Sequence, residues 1–378
     1  MNNNLLLKKG KSVKKLILIL LCSWSVCYAQ TLQEEIQLAE QGDAKAQFNL
    51  GVRYADGDGV PQDYTKAAHW YEQSAKQGNV YAQNNLGSLY LKGNGVPLDK
   101  KAAFDLYEKA ANQGNANSQY NFALMFTKGD GVSRDDSLAA GWYEKAALQG
   151  HAQAQNNLGL MYEEGKVKAQ DYKVAMNWYE KAAAQGNADA QFNLGRIYEA
   201  GHGVAQSYEQ AMGWYKKSAL QGDAVAQYNL GVLYENGWGT EPDFKEAAAW
   251  YEKSANQGYA QAQYNLGNAY EKGRGVPQDN VVAIRWYEKA AKQGYANAQN
   301  NLGGMYAKGR GVPQDYKTAV SWYEKAALQG DATAQYNLGV LYEDGAGVPK
   351  NMEIAKQWYT QAAKQGDEKA LSRLEKMR

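Results

Sequence analysis

AQYNLG stands at residues 226–231 and returns unchanged at 262–267 and 334–339. AQFNLG (46–51 and 190–195) and AQNNLG (82–87, 154–159 and 298–303) are close variants, and SQYNFA (118–123) is a looser one. Laid out from Ala44, these stretches fall into nine units of 36 residues that fill 44–367 without an insertion. A regular period of this length is the mark of a helical repeat array, in which each unit buries its apolar face only against its neighbours. Positions below are counted from the first residue of each unit.

Each unit reads as two helices. The first covers positions one to twelve, with Ala, Leu and Tyr at three, seven and eleven (Ala46, Leu50 and Tyr54 in the first unit) on one face. A glycine at position fourteen in every unit, Gly57 to Gly345, ends it in the left-handed conformation. Position twenty is Asp, Ser or Asn throughout: Asp63, Asp99, Asp135, Asp171, Ser207, Asp243, Asp279, Asp315 and Asn351. These residues cap helix N-termini, and substitution confined to the capping set favours a cap over a catalytic carboxylate. The second helix carries AxxWYxxxA, as at Ala67, Trp70, Tyr71 and Ala75, and closes on Gln-Gly.

The pattern A-x-x-x-L-G-x-x-Y-x-x-G-x-G-V, followed by A-x-x-W-Y-x-x-A-A and a terminal glycine, resembles the Sel1-like repeats, relatives of the tetratricopeptide repeats. The resemblance implies an all-α, right-handed helical-repeat solenoid of antiparallel helix pairs. It also implies an adaptor that holds other proteins, with host proteins among the partners of exported bacterial members. The chain departs from the pattern at Leu106 (for Trp), Ala123 (for Gly), Phe126 (for Tyr), Val167 (for Gly) and Thr240 (for Val).

Residues 1–29 differ from the rest. Five lysines between Lys8 and Lys15 lead into an apolar run, Leu16 to Val26, and Cys27-Tyr28-Ala29 ends on a small residue, the order of a secretory signal. The run is too short for a bilayer span of about 20 residues. The expected organisation is therefore a signal peptide at 1–29, a capping helix at 30–43, the repeats at 44–367 and a second capping helix at 368–378. The protein is expected to be periplasmic or secreted, to have no membrane span after cleavage, and to be monomeric. Both cysteines, Cys22 and Cys27, lie in the signal. Losing five of the 41 basic residues leaves 36 against 40 acidic ones, a net charge of −4 that argues against nucleic acid as partner.

No constellation for chemistry stands out. His69, His151 and His202 occupy different repeat positions, without metal-ligand spacing. There is no GxSxG elbow and no P-loop lysine. Asp56-Gly-Asp58 lacks the further ligands of a calcium loop. The reading is non-enzymatic, with no cofactor and no metal. Two alternatives stay open: a periplasmic envelope assembly factor, and an exported hydrolase of cell-wall or antibiotic substrates.

Recognition is placed on the first helices. At 100° per residue, positions five, nine and twelve gather at about 20–80°, away from the core stripe. The tetratricopeptide resemblance implies that this face is concave and binds protein. Position five gives Phe48, Tyr120, Phe192, Tyr228, Tyr264 and Tyr336, with Asn in the other units; position nine includes Arg196; position twelve includes Glu163, Glu199, Glu235, Glu271 and Glu343. Aromatic anchors beside acid suit a basic or neutral peptide, and the alternative is that these rings only pack on adjacent helices. Trp238, alone in its loop, either folds onto the array or anchors a partner. The amides of AQYNLG flank the core stripe and call for hydrogen bonds to adjacent loops or helix ends.

Overall fold

The computed structural model describes residues 31–167 and 169–377; the signal-like segment, Lys168 and Arg378 lie outside them. The described residues form twenty helices and no strand, in an all-α helical-repeat solenoid. They divide into two compact units, one ending at Gln185 and one beginning at Gly186. The first holds a helix at 31–40 and four repeats; the second holds five repeats and a last helix, Glu368–Lys376.

A repeat is built as Ala260–Lys272 and Asn280–Lys292 show. Gly273, at φ +64°, stops the first helix, and its N–H donates to the Ala269 carbonyl. Asp279 opens the second by accepting from the backbone N–H groups of Val281 and Val282. Every position-twenty residue caps in this way, Ser207 and Asn351 included. The loop is fastened at its far end, where Asp279 N–H donates to the Tyr270 carbonyl.

Small residues set the spacing. The position-eight glycine has no Cβ, and the tyrosine at position twenty-eight lies against it. A Cβ on Gly267 would stand 2.7 Å from the Tyr287 ring, and one on Gly195 2.5 Å from Tyr215. In eight of the nine repeats the tyrosine ring thus takes the space a Cβ would fill; in the third Ala123 stands there and Tyr143 is buried all the same. The tyrosines Tyr143, Tyr179, Tyr215, Tyr251, Tyr287 and Tyr359 are among the largest fully buried side chains. Core clusters follow one another along each unit, from Ala39, Ala46 and Leu50 in the first and from Ala211, Tyr215 and Leu230 in the second.

The invariant glutamine forms a buried ladder. Gln263 Nε2 donates to the Ala255 carbonyl, at the end of the preceding repeat's second helix, at 3.1 Å. Its Oε1 accepts from Gln293, which closes its own repeat, at 2.8 Å. The same pair of bonds recurs in both units, as at Gln119 with Ala111 and Gln149. One side chain thus satisfies a helix-end carbonyl and ties two repeats together, at about 0.5–1.5 kcal/mol net per bond.

Leu106 replaces a tryptophan and packs on the cluster of Ala67, Tyr71 and Leu86, while Phe104, Phe122, Phe126 and Trp142 form an aromatic cluster with ring centroids 4.9–5.6 Å apart. Val167 stands where sister loops carry a glycine with positive φ, but among the described residues no non-glycine residue has positive φ, so Val167 takes another backbone conformation. The helix before it stops one residue early, at Glu163, and Val167 packs against the core.

Candidate binding face

The residues expected to point outward are half-buried. Each position-five ring lies over the position-twenty-eight tyrosine of its own repeat. Phe48–Tyr71, Tyr120–Tyr143, Phe192–Tyr215, Tyr228–Tyr251, Tyr264–Tyr287 and Tyr336–Tyr359 have centroids 5.7–6.0 Å apart. Arg196 at position nine is half-buried too. The helical wheel misleads because the second helix of the same repeat packs under this flank, whether position eight is glycine or, in the third repeat, Ala123. What a single helix presents as a far side becomes a second packing surface.

The acidic residues are also engaged. Tyr179, Tyr251, Tyr287 and Tyr359 donate from their hydroxyls to Glu163, Glu235, Glu271 and Glu343 at 2.6–2.7 Å, and Tyr215 donates to Glu199. Burial, then the neighbouring carboxylate, pushes the Tyr215, Tyr251, Tyr287 and Tyr359 phenols far above their ordinary value. The invariant asparagine reaches the same hydroxyls rather than a loop or helix end: Asn85 donates to the Tyr71 oxygen at 3.3 Å. Glu, Tyr and the following repeat's Asn form one polar layer, and the carboxylates expected to be free are half spent on the fold.

Position two is exposed in seven of the nine repeats, Val225 and Gln261 being half-buried. Lys45, Tyr81, Asn117, Gln153, Asp189, Asn297 and Thr333 all stand open to solvent, Tyr81 at 57 %. This position varies from repeat to repeat, a signal the sequence carried and a reading centred on aromatics passed over.

The richest part of the face lies in the second unit. Tyr259 and Tyr295 occupy the N-cap position, which Asn, Asp or His fills in the other repeats, and neither makes a side-chain capping bond. His151 in the same place accepts from the Ala154 N–H through Nδ1 and stacks on Tyr120. Instead of capping, Tyr259 packs on Tyr228 and Tyr295 on Tyr264, with centroids 5.2 and 5.3 Å apart. Burial, with the Tyr295 and Tyr259 phenols close by, pushes Tyr228 up to about 12. A missing cap costs about 0.5–2 kcal/mol. Two adjacent helices forgo it and gain a half-buried patch of Tyr228, Tyr259, Tyr264 and Tyr295.

Trp238 stacks on Tyr208 of the preceding repeat, 5.3 Å between centroids at 25°, and remains 41 % exposed. Its position-fifteen counterparts meet the same neighbour: Lys100 pairs with Asp130 at 2.6 Å, and Arg274 lies over Phe244 at 5.6 Å. The tryptophan is thus one form of a repeat-to-repeat clasp. On the other side of each unit, second-helix tryptophans carry a lysine three residues on, as Trp286 carries Lys289 at 3.7 Å.

Among the described residues, no three His, Cys, Asp or Glu side chains converge to hold a metal, and no helix is long and apolar enough to cross a membrane. A Sel1 repeat model matches nine times, at 44–79, 80–115, 116–151, 152–187, 188–223, 224–259, 260–295, 296–331 and 332–367. The chain is similar to a protective antigen present in uropathogenic Escherichia coli strains, described as displaying an SLR fold. The identity is 40%, over 91% of this chain and 74% of that one, with a TM-score of 0.81. A Sel1 repeat protein from Oxalobacter formigenes is 32% identical over 82% of this chain and 90% of its own, with a TM-score of 0.62. No curated protein matches the chain.

Proposed function

The chain belongs to the Sel1 repeat family, whose members typically act as protein-interaction scaffolds, and from that premise we propose an exported scaffold that binds protein on its first-helix face. One observation carries this reading. The invariant residues are consumed by the frame, and positions two, five, nine and thirty-six on the first-helix face vary from repeat to repeat. There, two helix caps give way to tyrosines. A polar aromatic side chain supplies large contact area with little rotamer entropy to lose, as a protein interface favours. The signal-like segment at 1–29 and the resemblance to a protective antigen support export and contact with host proteins. Binding is a sum of contacts along a preformed face, with no bond made or broken.

Tyr259→Asn with Tyr295→Asn tests the reading. Asparagine restores two caps, worth about 1 kcal/mol each, against two ring contacts of about 0.5–1.5 kcal/mol each. Stability is expected to stay within about 1 kcal/mol of the parent in urea unfolding. Partner capture from host lysate or envelope extract is expected to weaken about tenfold or more, since aromatic anchors typically contribute about 1–2 kcal/mol or more each. Undiminished capture by this variant contradicts the tyrosine patch as the contact.

A further inference from the structure

The position-twelve carboxylates are used twice where the chain supplies a cation. Glu271 accepts from Tyr287 through Oε2, and its Oε1 accepts from Arg310 of the next repeat at 3.4 Å. Glu343 does the same with Tyr359 and, at 2.9 Å, with Arg373 of the last helix. A guanidinium on Oε1 is therefore a recurring partner of this Glu–Tyr pair.

Glu235 departs from that pattern. Tyr251 occupies its Oε2, but the arginine equivalent to Arg310, Arg274, is drawn aside over the Phe244 ring at 5.6 Å. Position twenty-one explains the difference: it is Phe244 here and Asn280 in the next repeat, which offers no ring to hold Arg310. A cavity of about 40 Å³ opens beside the carboxylate, with Ala247, Ala248 and Ala269 as its buried floor and Asn265 and Asn268 on its wall. By water-sized volume that is room for about three waters, the scale of a guanidinium or ammonium head and less than a ring.

We propose that the Glu235 cavity receives the cationic head of a partner's arginine or lysine, seated on Glu235 Oε1 as Arg310 and Arg373 sit on Glu271 and Glu343. This rests on the scaffold reading and names one contact within it. Asn265 lines the wall as a further polar group, the Asn268 oxygen already accepts from Tyr287 and Asn301, and a charge-assisted bond in a half-buried site is stronger than one on open surface. Lys272 and Arg274 stand at the rim. Arg274 competes for the same carboxylate, and Phe244 holds it off.

The test uses residues 30–378 with N-acetyl-arginine amide as probe and N-acetyl-glutamate as its opposite. Titration is followed by NMR at the Asn265 and Asn268 side-chain amides. Saturable shifts with the arginine probe alone are expected. Glu235→Gln should lose them. Arg274→Ser should tighten binding several-fold, and Phe244→Ala, which frees Arg274 to fold inward, should weaken it. Absence of saturation in both the parent and Arg274→Ser overturns the proposal, as does equal binding by Glu235→Gln or preference for the glutamate probe. If the probe fails while the Tyr259/Tyr295 variant still loses partner capture, only this contact falls and the scaffold reading stands.

Discussion

Tyr287→Ala is expected to lower the stability of its repeat by about 3–5 kcal/mol, the usual cost of removing a large aromatic from a packed site. The ring is fully buried against Gly267, which has no Cβ to move into the space. The truncation also strips Glu271 of its hydroxyl donor and removes the Tyr287 hydroxyl that lies 2.6 Å from the Asn268 Oδ1 acceptor. Tyr287→Phe separates the two contributions. It keeps the ring and removes only the polar contacts, at about 1.5–3 kcal/mol for a bond to a charged group, an upper range because Arg310 still holds Glu271. Hydrogen exchange across repeats seven and eight is the right measurement, because a repeat array opens locally as well as globally. Loss of protection should centre on Ala260–Lys272, Asn280–Lys292 and the next helix, Ala296–Lys308. Equal losses in the two variants would place the main term in the hydroxyl rather than in the packing.

Alkaline pH is expected to unfold the protein cooperatively between about pH 10 and 12. Burial pushes the Tyr107 and Tyr323 phenols up to about 12, from an ordinary value of 10.0. The four tyrosines bonded to glutamates in the second unit, Tyr215, Tyr251, Tyr287 and Tyr359, are raised further in the same direction. A folded-state value above the unfolded one means that the neutral phenol is the form the fold requires. That contribution is complete below pH 10 and is lost as pH rises towards the folded value. Two units at about 1.4 kcal/mol each make roughly 2.7 kcal/mol per tyrosine for Tyr107 and Tyr323. Several such residues exceed the 5–15 kcal/mol, roughly, that holds a domain together. Phenolate absorbance and helical circular dichroism, followed on one titration, should show a single steep step shared by both signals. Ionisation of all the phenols with the helices intact would contradict the burial of this layer.

The sequence was most informative where one residue answers a local need. Asp279 caps because a helix starts after it, and Gly273 is glycine because φ there is +64°. Both demands are set within a few residues, so period and residue type suffice to read them. Gln263 was legible in part: its place beside the core stripe demanded partners, and one of them is a helix end. The Glu–Tyr–Asn layer was not legible. Glu235 and Tyr251 lie sixteen residues apart on different helices, and a wheel drawn for one helix gives an angle without saying which side chain waits there. Gly231 held part of the missing information, since the Tyr251 ring takes the space its Cβ would fill. On the proposed face, the position-five rings were read from the sequence and the exposed position-two residues were not. Tyr228 and Tyr264 are half covered by their own repeats, whereas Tyr259 and Tyr295 announced themselves only as aromatics standing where a cap belongs.

The central claim is that one face of the second unit binds protein while the opposite face only completes the fold. Photo-crosslinking residues placed singly on residues 30–378 decide it, at Val232 and Asn297 on the first helices and at Glu252 and Glu324 on the outer side of the second helices. Each chain is exposed to host lysate and to envelope extract. The account predicts one discrete crosslinked partner from Val232 and Asn297, lost in the Tyr259→Asn/Tyr295→Asn background, and none from Glu252 or Glu324. The same partner captured equally from both faces, or from the outer positions alone, would contradict it.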